Sequence, residues 1–367
     1  MKIAPLFLAP TPDPTKSFVE RYEEIYRLVE YANEAQMECV WFTEHHFSDY
    51  GYSPNPLMMM AEAARRAPDI RLGAAVAVLP LWHPVRLAED IAFLDCVSGG
   101  RVDIGIGRGY QPLEFAVFGA DLANNRGMFA ESLKIMKKCW TEDDWSFEGK
   151  HWQIPETTVF PRPVQNPIPF WMAATTPPSI RGAVEMGYHL CTGTGALLDE
   201  LEQRNAFIDA CFDELGRSSE GIHRSVNKFI LCTNDPSEVD LAIRESKWQI
   251  RVSRDLTSGT NPPGGRNPAP PFKGEPNDEI WKQRLIVGTP EECLEIIRAH
   301  AEVGISYINA LFDFGGVPHD VVQRSMKLFT EELMPEMESI KPRVSTPEER
   351  AANAEVFVNR GDRYTGV

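Results

Sequence analysis

Three clusters in this sequence have the residue types and spacing to do chemistry. The first is Glu44-His45-His46, which follows the apolar run Val40-Trp41-Phe42-Thr43. Successive side chains at a strand end point to opposite sides, so only one of the two histidines can face a common site. Imidazole titrates near neutrality, which makes His45 a candidate general acid/base. Glu44 beside it is either a second catalytic group or a buried carboxylate in need of a donor. A metal centre built from His45 or His46 with Glu44 and His83 is disfavoured, because adjacent histidines diverge and no His-x-x-x-His spacing occurs. The second cluster, Gly107-Arg108-Gly109-Tyr110, closes the run Arg101–Ile106. An arginine fork matches phosphate, and flanking glycines let backbone approach a ligand; an ordinary ion pair is the equally simple alternative. The third, Ala173-Ala174-Thr175-Thr176-Pro177-Pro178-Ser179, puts hydroxyls where a strand gives way to a helix. Free N–H groups there favour an anion, with a plain N-cap by Thr175 or Thr176 as the competing reading. Together, the second and third clusters suggest a phosphorylated cofactor lying across one face of the fold. Gly105-x-Gly107-x-Gly109 is not the dinucleotide fingerprint, since its last spacing is wrong and it follows a fourth strand.

Polar bursts at the C-terminal ends of short β-rich runs are what a (β/α)8 TIM barrel displays. The expected strands are 3–8, 40–43, 70–80, 101–106, 168–173, 188–195, 226–233 and 305–311. Helical periodicity marks 18–36, 54–66, 85–97, 128–140, 177–187 and 317–334. Residues 143–160 read as an inserted hairpin. The Pro/Gly-rich stretch 256–277 has too many breakers for a regular element and is expected to be a lid loop. The chain therefore reads as one barrel domain over 1–340 and a charged tail over 341–367, with a helix near 347–356 in a surface or subunit-clasping arm. Phe7, Trp82, Phe115, Trp171 and Met172 could line an apolar pocket, although aromatic residues at strand ends are more often core.

With 367 residues, 43% hydrophobic and 25% charged, the chain can bury one large core. Its net charge of −16 argues against nucleic acid or an anionic membrane as partner. Seven cysteines, odd in number and scattered, suggest neither a zinc knuckle nor a disulfide framework, and fit a reduced cytoplasmic protein. Met1-Lys2-Ile3 leads into a strand, so neither a signal peptide nor a membrane span is expected.

Colinear stretches from about Met1 to Glu338 carry a resemblance. They include Trp41 to Phe47, Gly51 to Pro56, Leu72 to Leu79, His83 to Asp90, Ser98 to Gly109, Val117 to Asp121 with Arg126, Val287 to Cys293, Ser325 to Phe329 and Met334-Pro335. The chain resembles the bacterial luciferase family of flavin-dependent monooxygenases, and within it the luciferase catalytic subunit. That resemblance implies an oxidoreductase using reduced FMN, delivered by a separate flavin reductase, and O2 to insert one oxygen into a small, apolar organic substrate such as an aldehyde, ketone or alkane. It implies His45 as acid/base with Glu44 beside it, and a non-proline cis peptide at Ala75-Val76 behind the flavin ring. Arg108, Tyr110 through its backbone, Arg126, Ala174, Thr175 and Ser179 match positions around the flavin phosphate. A lid shielding the cofactor and a homodimer packed through the early helices are implied as well. Gly107, Ala174 and Gln111 depart from larger thiol, acidic and tyrosine residues in luciferase, so light emission does not follow. Two alternatives stay open: a deazaflavin-dependent hydride-transfer enzyme on the same fold, and a non-catalytic flavin-binding subunit.

Overall fold

The computed structural model describes residues 1–260 and 262–360. Its strands are β1 (Lys2–Phe7), β2 (Cys39–Phe42), β3 (Arg71–Val78), β4 (Val102–Gly107), a hairpin of β5 (Trp145–Glu148) and β6 (Gln153–Thr157), then β7 (Phe170–Ala173), β8 (His189–Thr192), β9 (Arg224–Cys232), β10 (Ile286–Gly288) and β11 (Tyr307–Leu311). Parallel pairing runs β11-β1-β2-β3-β4-β7-β8-β9, and β9 pairs back onto β11, which closes an eight-stranded barrel. The (β/α)8 expectation is met. The extra strand β10 extends the wall: β8 pairs with the first residues of β9, Arg224 to Val226, and β10 takes over at Ile230 to Cys232. At three residues it is too short for any periodic signal.

Helices α1 (Phe18–Glu34), α2 (Pro56–Arg66), α3 (Pro84–Ser98), α4 (Pro112–Phe118), α5 (Asn125–Thr141), α6 (Pro177–Met186), α7 (Leu198–Glu214) and α8 (Pro236–Thr257) follow in turn. The chain then forms α9 (Asp278–Lys282), α10 (Pro290–Glu302), α11 (His319–Glu332), α12 (Met334–Met337) and α13 (Pro347–Arg360). Gly99, at φ +70, ends α3 in the left-handed conformation that its missing Cβ permits. The long helices α7 and α8 had no clean apolar stripe to read, and their burial explains it. Arg204, Asn205 and Asp209 are buried on α7, as are Ser246, Lys247, Gln249 and Ser253 on α8.

The floor of the barrel is aromatic. Trp41, Trp171 and Tyr307 meet edge to face at 5.0 to 6.4 Å, and the Trp41 indole donates to the Tyr307 hydroxyl at 3.1 Å. Gly73 has to be glycine here, because a Cβ would sit 2.0 Å from Trp41. Large rings therefore fill the lower barrel and leave open space above.

Two outlying segments are held against the barrel. The stretch 256–277 is strapped down: the Asp49 N–H donates to the Gly265 carbonyl at 2.8 Å, Arg266 reaches the Thr11 carbonyl at 2.6 Å, and Arg251 pairs with Glu275. Its first residues belong to α8, and position 261 lies outside the described residues. The tail carries the helix α13, whose Phe357 is buried against Phe207 of α7 and whose Arg350 pairs with Asp213. An amphipathic helix with its own apolar contact docks on the barrel of its own chain. Residues 361–367 of the expected tail lie outside the described residues.

Candidate active site

Above the aromatic floor, at the C-terminal ends of the strands, lies a cavity of about 420 Å³. Its wall is drawn from nearly every strand end, with α8 contributing Gln249, Ile250, Ser253 and Thr257. Among the described residues of the expected lid stretch only Thr257 lines it, so α8 closes this side and the loop braces it from outside.

The two histidines part as expected. His45 lines the cavity and His46 does not. The His45 backbone N–H donates to the Ser53 carbonyl at 3.0 Å, and its ring meets Tyr50 edge-on at 4.7 Å. Gln111 Nε2 lies 3.2 Å from His45 Nδ1; an amide N–H is a donor, so Nδ1 accepts and the neutral ring carries its proton on Nε2. Burial, and after it the neighbouring His46, push His45 down to about 3. It is a neutral imidazole at pH 7.

Glu44 is committed elsewhere. One oxygen accepts the Val78 N–H at 2.7 Å, the Trp82 indole donates at 3.0 Å, and His46 Nε2 lies at 3.3 Å. These bonds tie the end of β2 to the end of β3 and meet the second of the two readings of Glu44, a buried carboxylate supplied with donors. Sequence reading missed the carboxyl that does sit beside the imidazole. Glu114, in the first turn of α4, is 2% exposed, accepts the His46 backbone N–H at 3.2 Å and stands 3.9 Å from His45 Nδ1. Burial raises it to about 7. An acidic residue just after Pro112 reads as an ordinary first-turn residue, and nothing in the sequence signals that α4 turns it inward.

On the opposite flank, Arg108 lines the cavity and Arg126 lies near enough to lower its basicity further, after burial. Among the described residues neither guanidinium has an acidic partner. Asn125 anchors the start of α5 by donating to the Gly109 carbonyl at 3.2 Å, which brings Arg126 and a 17-residue helix N-terminus to the same corner. Two unneutralised cations beside a helix N-terminus are an arrangement that could hold an anion. Thr175 and Tyr110 line the cavity too. Ser179 and Ala174 do not: the Ser179 hydroxyl closes a capping box with Thr176, and the Ala174 carbonyl accepts from Arg204 at 3.1 Å. Both residues stand behind the loop that opens α6.

The Ala75-Val76 peptide is cis and both residues line the cavity. The glycines of β4 follow from it. A Cβ on Gly105 would lie 2.3 Å from the Ala74 carbonyl oxygen, and one on Gly107 would lie 2.5 Å from Val76. Phe7, Phe115, Trp171 and Met172 are buried and Trp82 is held by Glu44, so the expected apolar ring is core and support. No cluster of three metal-ligating side chains exists among the described residues, and no described helix is long and apolar enough to cross a membrane.

The sequence profile of the luciferase-like monooxygenases matches residues 2–307. The chain belongs to that family and is an oxidoreductase of the TIM-barrel class. It is 27% identical over 332 residues to the oxygenase component of the flavin-dependent trigonelline monooxygenase of Acinetobacter baylyi, covering 86% of this chain and 89% of that one. It is 33% identical over 229 residues to the uncharacterized protein y4vJ of Sinorhizobium fredii, where the match spans 61% of this chain and 65% of the relative. Among solved structures, the monooxygenase RslO1 of Streptomyces bottropensis superposes with a TM-score of 0.79 at 27% identity, covering 92% of this chain and 99% of that one.

Proposed function

We propose that this protein is the oxygenase component of a two-component system, taking reduced FMN from a separate flavin reductase and using O2 to place one oxygen atom in a small organic substrate. The observation that carries the reading is the polarity of the cavity: Arg108 and Arg126, unpaired among the described residues, at one corner, and a neutral His45 with Glu114 at another, joined by the wall of Ala75 and Val76. That set fits a flavin mononucleotide. The two cations, Thr175 and the α5 N-terminus would hold its phosphate, and the Ala75-Val76 segment, with room made by Gly105 and Gly107, would back its ring.

Bound reduced flavin supplies two electrons, so that one atom of O2 enters the substrate and the other leaves as water. The chain's own residues would do the rest. His45 Nε2–H would donate a hydrogen bond at the reacting centre, its proton staying on the ring, and the protonated Glu114 carboxyl 3.9 Å away, raised to about 7 by burial, would supply the proton and recover it. Gln111 holds the ring in the donating tautomer. The helix α8 and Tyr50 would keep water out, with 256–277 bracing them as an outer lid. A cytoplasmic location and a homodimer packed through the early helices complete the proposal.

The test is 18O2 turnover with a flavin reductase, FMN, and decanal or cyclohexanone as probes. One 18O atom per product supports the reading. The same phosphate corner would accept a deazaflavin, which makes anaerobic hydride transfer with reduced F420 the competing result; flavin binding without either turnover would mark a non-catalytic subunit.

A further inference from the structure

The wall of the cavity away from the phosphate corner carries an unspent recognition group. Asn309 on β11 and Asn227 on β9 are register partners on neighbouring parallel strands, and both line the cavity. Asn309 Nδ2 donates to Asn227 Oδ1 at 2.8 Å and to Ser225 Oγ at 3.2 Å, which uses both of its amide hydrogens. Its oxygen is left over: Asn309 is 2% exposed and its Oδ1 has no hydrogen-bond partner. The Asn227 amide N–H2 makes no bond within the protein among the described residues, and Asn227 is open to the cavity. A buried acceptor and a free donor therefore stand side by side on one wall.

The barrel order fixes what faces them. β11 is diametrically opposite β4, and β9 opposite β3, so Asn309 looks across the cavity at Arg108 and Asn227 at Ala75-Val76. Around the amides the wall is apolar, with Leu6, Phe229 and Leu311, and the nearby Gln249 amide is already bonded to Tyr50 and Gly315. No ion competes on this side. A hydrocarbon chain pressed against the wall would leave the Asn309 oxygen dry and unpaired, whereas a ligand N–H beside a C=O would satisfy both amides at once.

We infer that the Asn227–Asn309 pair selects a substrate carrying adjacent hydrogen-bond donor and acceptor, the –NH–C(=O)– edge of a lactam, pyridone or carboxamide, in preference to a plain aldehyde or alkane. The inference rests on the flavin reading of the opposite wall. It narrows the apolar substrate that the family resemblance implies. A site built to bond an N–H discriminates strongly against an analogue lacking it, because the buried acceptor then stays unpaired.

The probes are 2-pyridone and N-methyl-2-pyridone, which differ only at the donor, titrated calorimetrically into the FMN-loaded full-length protein. The expected result is at least tenfold tighter binding of 2-pyridone, lost in Asn309→Leu with FMN affinity unchanged. Asn227→Ala, at the more open position, serves if Asn309→Leu does not fold, and should cut 2-pyridone binding several-fold. Equal binding of the two probes by the wild type overturns the inference. So does a parallel loss of FMN affinity in the variants, which would assign the amides to the uracil-like edge of the flavin. Failure of the wild type to bind FMN at all would instead remove the function on which the inference stands.

Discussion

The barrel has a cavity at each end, and the two are lined by similar residue types with opposite bookkeeping. At the N-terminal end a cavity of about 170 Å³ is lined by Arg71, Asp103, His189, His223, Trp171 and Tyr307. There Arg71 pairs with Asp103 at 2.5 Å, the Trp171 indole donates to the other Asp103 oxygen at 3.0 Å, and His189 Nδ1 accepts the His223 N–H at 3.0 Å. At the C-terminal end, among the described residues, Arg108 and Arg126 have no acidic partner, Asn309 Oδ1 has no hydrogen-bond partner, and Glu114 is buried without a lysine or arginine partner. Histidine, arginine and carboxylate occur in both places. Unsatisfied valence, more than residue type, separates the end that binds from the end that holds the fold together.

Four substitutions sharpen that contrast. The largest effect is expected from His45→Ala, which should lower oxygenation by about 10²–10⁴-fold while FMN binding, measured by equilibrium dialysis, stays within twofold. At the other end Arg71→Ala should leave kcat/KM untouched and cost about 2–3 kcal/mol in denaturant unfolding. That is below the ~3–5 kcal/mol of a fully buried pair because Arg71 is partly exposed and Trp171 still serves Asp103. A comparable loss of activity in Arg71→Ala would erase the distinction between the ends. Arg108→Ala should weaken FMN by about 1.5–3 kcal/mol, roughly 10–100-fold in Kd, read by calorimetry, with little change in melting temperature. The smallest effect is a matter of pH. Because Glu114 ionises near 7 and would be the proton donor beside a neutral His45, kcat/KM should fall as pH rises through 7; in Glu114→Gln the profile should lose that step. A profile that kept the step would detach Glu114 from the reaction.

The same titrations bear on stability with a fixed sign. His45, His189 and His223 are all pushed below their ordinary 6.5 by burial, to about 3, 4 and 4. Between those values and 6.5 the unfolded chain binds protons that the folded one refuses, so stability is fully present above 6.5 and falls on acidification. Glu114 acts the other way, since its raised value favours the folded state below the ordinary carboxyl range and that contribution is lost by pH 7.

Much of this was legible in the residues. Apolar runs ending in Glu44-His45-His46 and Gly107-Arg108-Gly109 located two corners of the cavity, because strand alternation and glycine's missing side chain are local properties. What stayed hidden depends on contacts far apart in sequence. The sequence leaves Glu44 open between proton transfer and a buried carboxylate in need of a donor, because its partners Val78 and Trp82 lie over thirty residues on. Glu114 faces inward because α4 packs against α8 and the turn after β3, where its carboxylate takes the His46 N–H. The wall contributed by α8 escaped notice since Gln249 and Ser253 break the apolar stripe that would have announced a helix. Asn227 and Asn309 are unremarkable until the barrel closes and sets them in register. The glycines of β4 show the reverse case: their reason, the path of Ala74 to Val76, was visible only in three dimensions, but their presence was a fair warning of close approach.

The most direct test mixes anaerobically reduced FMN and this protein with oxygenated buffer and follows the return of oxidised flavin absorbance. A cavity that holds the phosphate at Arg108 and Arg126 and excludes water around His45 should slow that return by at least tenfold relative to free FMN, and Arg108→Ala should restore the free rate at the same protein concentration. Reoxidation at the free-flavin rate with wild-type protein in excess would contradict the account, and turnover of reduced F420 in the absence of oxygen would replace it.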